Sequence, residues 1–163
     1  MSVVLYWMLD WLKQRDVLRL TFFKKMGVYR KVPRIACTSQ GMTPIGVRWV
    51  DINKGDNERP DYRSRLVAKE FKRLGKDRPD LFAATPPLEA LKAIVGIADT
   101  VGSDGKEKTL MINDMKRAYF YAQATRKVYV EIPDEDKNPG DEDLVGELVL
   151  CMYGTRDAAK NWQ

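Results

Sequence analysis

Pro44-Ile45-Gly46-Val47-Arg48-Trp49-Val50-Asp51 and Tyr62-Arg63-Ser64-Arg65-Leu66-Val67-Ala68-Lys69 flank the stretch Asn53-Lys54-Gly55-Asp56-Asn57-Glu58-Arg59-Pro60-Asp61. The two flanks carry β-branched and aromatic residues that suit a pleated, half-buried surface. The centre is a dense set of turn formers. The whole reads as a long β-hairpin with a basic tip. Because side chains alternate across a strand, Arg63, Arg65 and Lys69 share one face, and Tyr62, Leu66 and Ala68 the other. Two guanidiniums side by side repel unless something anionic lies opposite. A triphosphate or a nucleic-acid backbone would serve, and so would plain solvent exposure.

Downstream, Pro86-Pro87 blocks helix before Pro87 but suits Pro87 as a first helical residue, with Glu89 favoured in the first turn by the helix dipole. Leu88, Leu91, Ile94, Val95, Ala98 and Val101 recur at helical spacing, which predicts a helix packing one apolar face on a core. Thr109-Leu110-Met111-Ile112-Asn113-Asp114 reads as a short buried strand ending at a functional edge. A strand over 127–132 is stopped by Pro133, an acidic loop runs from Asp134 to Asp143, and a last strand spans about 145–152. Thr155 to Trp162 begins a helix. Strands and helices in this mixed order predict an α+β fold.

Composition narrows the chemistry. The 163 residues include no histidine, which excludes imidazole triads, His-ligated zinc and His acid–base catalysis within the chain. The 44% apolar fraction is enough to fill one core. Two distant cysteines, Cys37 and Cys151, without a CxxC motif read as reduced thiols of an intracellular protein, cytoplasmic or nuclear. The apolar opening Val3 to Leu9 lacks a preceding basic region and is interrupted by Asp10 and Lys13. It reads as the start of amphipathic helical pieces reaching about Lys25, not as a membrane span.

The net charge of +5 is regional. Between Lys24 and Arg78 there are fifteen Lys/Arg and six Asp/Glu, a net of +9, while the remainder nets −4. A solvated face and a phosphate-facing surface both account for such a run. Asp114, at the end of an apolar stretch, is either a carboxylate capping the next turn or one held in fixed geometry for chemistry. Asp134-Glu135-Asp136 and Asp141-Glu142-Asp143, among Pro133, Pro139 and Gly140, read as a mobile solvated loop.

The ordered set Lys31-Val32-Pro33, Ile45 to Val50, Lys54-Gly55, Tyr62 to Lys69, Phe82-Ala83-Ala84-Thr85-Pro86, Asp114-Met115-Lys116-Arg117-Ala118-Tyr119, Val128 to Pro133 and Met152-Tyr153-Gly154-Thr155-Arg156 resembles the reverse transcriptase of copia-type long-terminal-repeat retrotransposons. The resemblance runs from about Gly27 to Trp162. It implies a partial right-hand polymerase fold, with a fingers β-hairpin in residues about 27–85 and an incomplete palm in about 86–163. Residues 1–26, before it, are expected to be an N-terminal helical extension of unclear role. It further implies an RNA-directed DNA polymerase, a nucleotidyltransferase working on an RNA template, a DNA primer and deoxynucleotide triphosphates, beside other parts of a retroelement polyprotein.

Under the same resemblance, Arg65 and Arg63 contact the triphosphate, supported by Lys54 at the hairpin tip. Asp114 matches the first catalytic, metal-binding aspartate, serving a two-ion Mg²⁺ site. Tyr119 matches the aromatic that packs under the sugar and excludes a 2′-hydroxyl; by its sequence alone it is equally a core aromatic. Two departures matter. Asp157 and Ala159 stand where the family reads Gln and Pro, and no aromatic-x-Asp-Asp motif follows Trp162. The expectation is a reverse transcriptase domain truncated before that motif and inactive alone. The alternatives are a non-catalytic nucleic-acid-binding remnant and a plain α+β interaction domain.

Overall fold

A computed structural model describes residues 20–56, 58–71, 83–103 and 105–163. Residues 1–19, and with them most of the expected N-terminal helical stretch, lie outside the described residues. Residues 20–26 are helical (α1). They are followed by β1 (Tyr29–Pro33), α2 (Ile35–Thr38), β2 (Val47–Asn53), β3 (Tyr62–Ala68) and α3 (Leu88–Ala98). A 3₁₀ turn at Ala118–Tyr121, β4 (Tyr129–Val130), a second 3₁₀ turn at Asp134–Asp136, β5 (Leu144–Leu148) and α4 (Ala158–Trp162) complete the order. The fold is a mixed α+β one with two small antiparallel sheets, β1-β5-β4 and β2-β3. Among the described residues no helix is long and apolar enough to cross a membrane.

The expected hairpin forms, with Val47 opposite Ala68 and Asn53 opposite Tyr62. Its turn is closed by its own side chains. The Asn53 side-chain oxygen accepts from the Gly55 and Asp61 amides at 3.0 and 2.9 Å, and Asp56 accepts from the Glu58 and Arg59 amides. Alternation along β3 follows the pleat: Arg63 and Arg65 are exposed, while Ser64, Leu66 and Ala68 are buried. Leu66 and Ala68 enter a core with Val28, Phe120, Val128, Val130, Leu148 and Met152. The hairpin is also tied to the other sheet through backbone. Ile45 donates to Tyr129 and accepts from Glu131, at 2.8 and 2.9 Å, and Ala68 donates to the Tyr153 carbonyl at 2.8 Å. Gly154 permits that last approach: it sits at φ +84°, and a Cβ there would lie 2.0 Å from the Ala68 oxygen.

Several expectations are corrected. Helix α3 forms where the periodicity places it, but starts at Leu88 with Pro87 extended at its N-cap. Its apolar face is not buried among the described residues: Leu88, Leu91, Ile94, Val95 and Ile97 are all at least half exposed. Apolar periodicity makes an amphipathic helix, and the partner surface has to come from elsewhere in space. Residues 109–114 are not a strand, and Met111 and Ile112 are the most exposed of their kind, at 78% and 84%. Asp114 is therefore not at the end of a buried strand. The strand expected over 127–132 shortens to β4, although Val128 to Val130 and Ile132 are buried, and the last strand ends at Leu148.

The acidic loop is anchored, not a free solvated segment. Asp136 is 3% exposed and accepts from the Tyr29 hydroxyl; Lys24 Nζ lies 2.5 Å from its Oδ1. Lys31 bonds Asp141 at 2.5 Å. Burial, then the bond to Asp136, pushes the Tyr29 phenol far above its ordinary pKa. Basic residues on α1 and β1 are what hold this loop, a pairing across more than a hundred positions of chain. Cys37 and Cys151 are both free and buried, as two reduced thiols would be.

Candidate functional site

Residues 63–66 of β3 border a cleft of about 430 Å³. Arg63, Arg65, Asp114, Lys116, Arg117, Phe22, Phe23, Trp49 and Tyr153 are among its lining residues. Each wall has a local cause. Strand alternation aims Arg63 and Arg65 outward while Leu66 grips the core. Residues 114–117, which also line it, lead into the 3₁₀ turn that starts where the Phe120 amide bonds the Arg117 carbonyl at 3.0 Å. That turn buries Phe120, whose ring meets Phe23 edge-on at 4.6 Å and Tyr153 at 5.3 Å. The aromatic cluster thus fixes the spacing between the basic strand and the Asp114 segment.

Of the residues singled out from sequence, three meet here: Arg63, Arg65 and Asp114. Arg65 holds its guanidinium 5.6 Å from the centre of the Tyr153 ring. Tyr119 is half-buried and does not line the cleft. It stacks behind it on Tyr153, ring centres 4.9 Å apart, and packs against Ala122, Cys151 and Ala158. Lys54 stays at the exposed hairpin turn and does not line the cleft either. Among the described residues no carboxylate pairs with Arg63, Arg65, Lys116 or Arg117. Four cations and one carboxylate share a small volume, so the cleft presents a positive field to whatever enters.

Asp157 takes no part in that lining. It is 3% exposed and bonds Arg126 at 2.9 Å, while Arg126 also bonds Glu70 at 2.5 Å. Glu70 in turn accepts the Arg156 amide at 2.9 Å. Burial would lower the Arg126 pKa, but the bonds to Glu70 and Asp157 outweigh it and raise it. This triad clamps the end of the hairpin to the start of α4. An Asp at this position serves the clamp.

Sequence reasoning missed Phe22, Trp49 and Tyr153 as cleft walls. It also gave Lys116 and Arg117 no part beyond their place in a motif. The alternation of β3 gave access to Arg63 and Arg65, but no periodicity links residue 22 to residue 117. The described residues contain no group of three or more His, Cys, Asp or Glu that could hold a metal ion.

Residues 30–163 match the family described as reverse transcriptase (RNA-dependent DNA polymerase). The chain is 25% identical over 142 residues to the retrovirus-related Pol polyprotein from transposon TNT 1-94 of Nicotiana tabacum, covering 85% of this chain and 10% of that protein. It is 27% identical over 124 residues to the retrovirus-related Pol polyprotein from transposon RE2 of Arabidopsis thaliana, covering 74% of this chain and 8% of that one. The chain thus spans about a tenth of the length of these relatives. No solved structure matches. Since the family match takes in most of the sequence and the relatives are transposon polyproteins, the chain belongs to the reverse transcriptase (RNA-dependent DNA polymerase) family, of the copia type.

Proposed function

We propose that this chain binds the polyphosphate of an incoming deoxynucleotide, and the template-primer beside it, for an RNA-directed DNA polymerase. One observation carries the proposal: Arg63 and Arg65 on a rigid strand and Asp114 on the facing segment line the same cleft. Guanidinium forks bind phosphate oxygens bidentately, and fixing the triphosphate positions its α-phosphorus for attack. In this right-hand arrangement the fingers take residues about 27–85 and the palm about 86–163, with 1–26 as an N-terminal extension. Lys54 supports the clamp from the hairpin turn. Discrimination against a 2′-hydroxyl by Tyr119 requires its ring to turn from Tyr153 toward the cleft. RNA template, DNA primer and other polyprotein parts are the partners this reading implies.

The divalent ions expected of the family are a separate matter. Mg²⁺ takes about six oxygen ligands, and a two-ion site needs several carboxylates. Among the described residues Asp114 is the one carboxylate lining the cleft, which four cations also line. The described residues do not fit a two-ion site, and we assign this chain binding without catalysis of its own.

Binding of an RNA–DNA hybrid across a salt series, together with primer extension on an RNA template with Mg²⁺, tests the proposal. Affinity is expected to fall steeply with salt and to weaken in Arg63→Gln/Arg65→Gln. Salt-independent binding, or binding unchanged in that double variant, would refute the phosphate surface and favour a plain interaction domain. Primer extension that disappears in Asp114→Ala would refute the absence of catalysis.

A further inference from the structure

Residues 20–26 lie outside the stretch matched by the family model, yet two of their side chains, Phe22 and Phe23, line the cleft. Phe22 faces Arg117: the guanidinium carbon lies 3.9 Å from the centre of the Phe22 ring. Arg117 is also the non-glycine residue with positive φ among the described residues, at φ 62° and ψ 35°. An arginine gains nothing locally from a left-handed backbone, and such outliers persist where the surroundings hold them. Here those surroundings are Phe22 on one side and the 3₁₀ turn, closed on the Arg117 carbonyl, on the other.

We propose that Arg117, positioned by Phe22, is a further phosphate-binding residue of the cleft, closing on an oligophosphate chain from the side opposite Arg63 and Arg65. This rests on the nucleotide reading above. A cation–π contact occupies the face of the planar guanidinium and leaves its in-plane N–H donors for phosphate oxygens. No carboxylate among the described residues competes for those donors. The helix before the family match is then part of the binding site. Removing the Phe22 ring face would release Arg117 without touching the other two arginines.

The test is calorimetric titration of the 163-residue chain with inorganic tripolyphosphate, a deoxynucleotide triphosphate and a single-stranded oligonucleotide, at low salt. Arg117→Gln is expected to weaken tripolyphosphate and the deoxynucleotide by at least about tenfold, the scale of a lost charge-assisted hydrogen bond. Phe22→Leu keeps an apolar side chain but not the ring, and is expected to weaken both by about threefold. Arg117→Gly relieves the backbone, so its thermal midpoint should rise while its affinity falls. A residue that only packs would not produce that opposed pair of changes. If Arg117→Gln binds tripolyphosphate as tightly as wild type while Arg63→Gln/Arg65→Gln loses it, the Arg117 assignment is wrong and the nucleotide reading survives. If Arg117→Gln weakens only the oligonucleotide, the site takes a nucleic-acid backbone and the oligophosphate assignment is wrong. If wild type itself fails to bind tripolyphosphate and the deoxynucleotide, the nucleotide reading falls, and this proposal with it.

Discussion

Replacing Gly154 by alanine probes the joint on which the cleft depends. Tyr153 lines the cleft, and the chain turns at Gly154 directly against the end of β3. A Cβ at 154 would stand 2.0 Å from the Ala68 carbonyl oxygen and 2.5 Å from Cγ1 of Val67, on a backbone at φ +84°. Gly27 makes a matched control, with φ +64° and nothing within 4 Å of the same added atom. Gly27→Ala therefore carries backbone strain alone, about 1–2 kcal/mol. Gly154→Ala carries that strain and must also displace β3, because a carbonyl oxygen cannot rotate out of the way as a side chain can. Forced repacking adds about 1–3 kcal/mol, for a total of about 2–5 kcal/mol. The Ala68–Tyr153 bond at 2.8 Å is the first casualty. Urea unfolding of wild type and both variants measures this, with equal m-values required before midpoints are compared. The expected order of midpoints is wild type, Gly27→Ala, Gly154→Ala. Equal losses in the two variants would mean that residues 153–154 do not pack against β3, and the cleft wall would have to be rebuilt.

Met152 is fully buried, so Met152→Ala should cost about 2–5 kcal/mol, whereas Leu91→Ala on the exposed face of α3 should stay within about 0.5 kcal/mol; denaturant midpoints of both compare the two sites directly. Arg126→Met strands the buried Asp157 and the partly buried Glu70, and should lower unfolding free energy by about 3 kcal/mol, the low end for breaking a buried pair from one side. Tyr29 holds its proton more tightly folded than unfolded, so its stabilisation is complete below about pH 10 and is lost as pH rises beyond it. Tyr29→Phe should flatten the alkaline limb of the stability curve. Bonding to Arg34 lowers the Glu131 pKa, and bonding to Lys31, then to the Asn138 amide, lowers that of Asp141. Their contribution is present above the ordinary carboxylate pKa of about 4 and lost as pH falls through the lowered values. Glu131→Gln/Asp141→Asn should therefore lower stability at neutral pH and flatten its fall in acid, the two proteins converging at low pH.

What sequence reasoning reached and what it missed divide by distance along the chain. The β2–β3 hairpin was legible because turn chemistry between Asn53 and Asp61 and alternation from Tyr62 to Ala68 act between near neighbours. The same locality made α3 legible as a helix while leaving its partner unknown, and its apolar face proved exposed. The apolar run before Asp114 resembles a buried strand by its local composition; in the fold the run is solvent-facing, and the aspartate reaches the cleft from a loop. Asp136, one of many acids in a stretch with turn formers, gives no local sign of the Tyr29 and Lys24 that bury it.

The sequence alone determined the secondary structure of the hairpin, the outward aim of Arg63 and Arg65, the absence of imidazole chemistry and, through ordered motifs, the family. Those properties depend on neighbours in the chain or on composition. Only the tertiary structure decided that Phe22 stands beside Arg117, that Tyr119 turns toward Tyr153, and that Asp157 belongs to a clamp with Arg126 and Glu70. Such pairings join residues 31 to 95 positions apart, where no periodic pattern selects one partner over another and only packing of the whole core does.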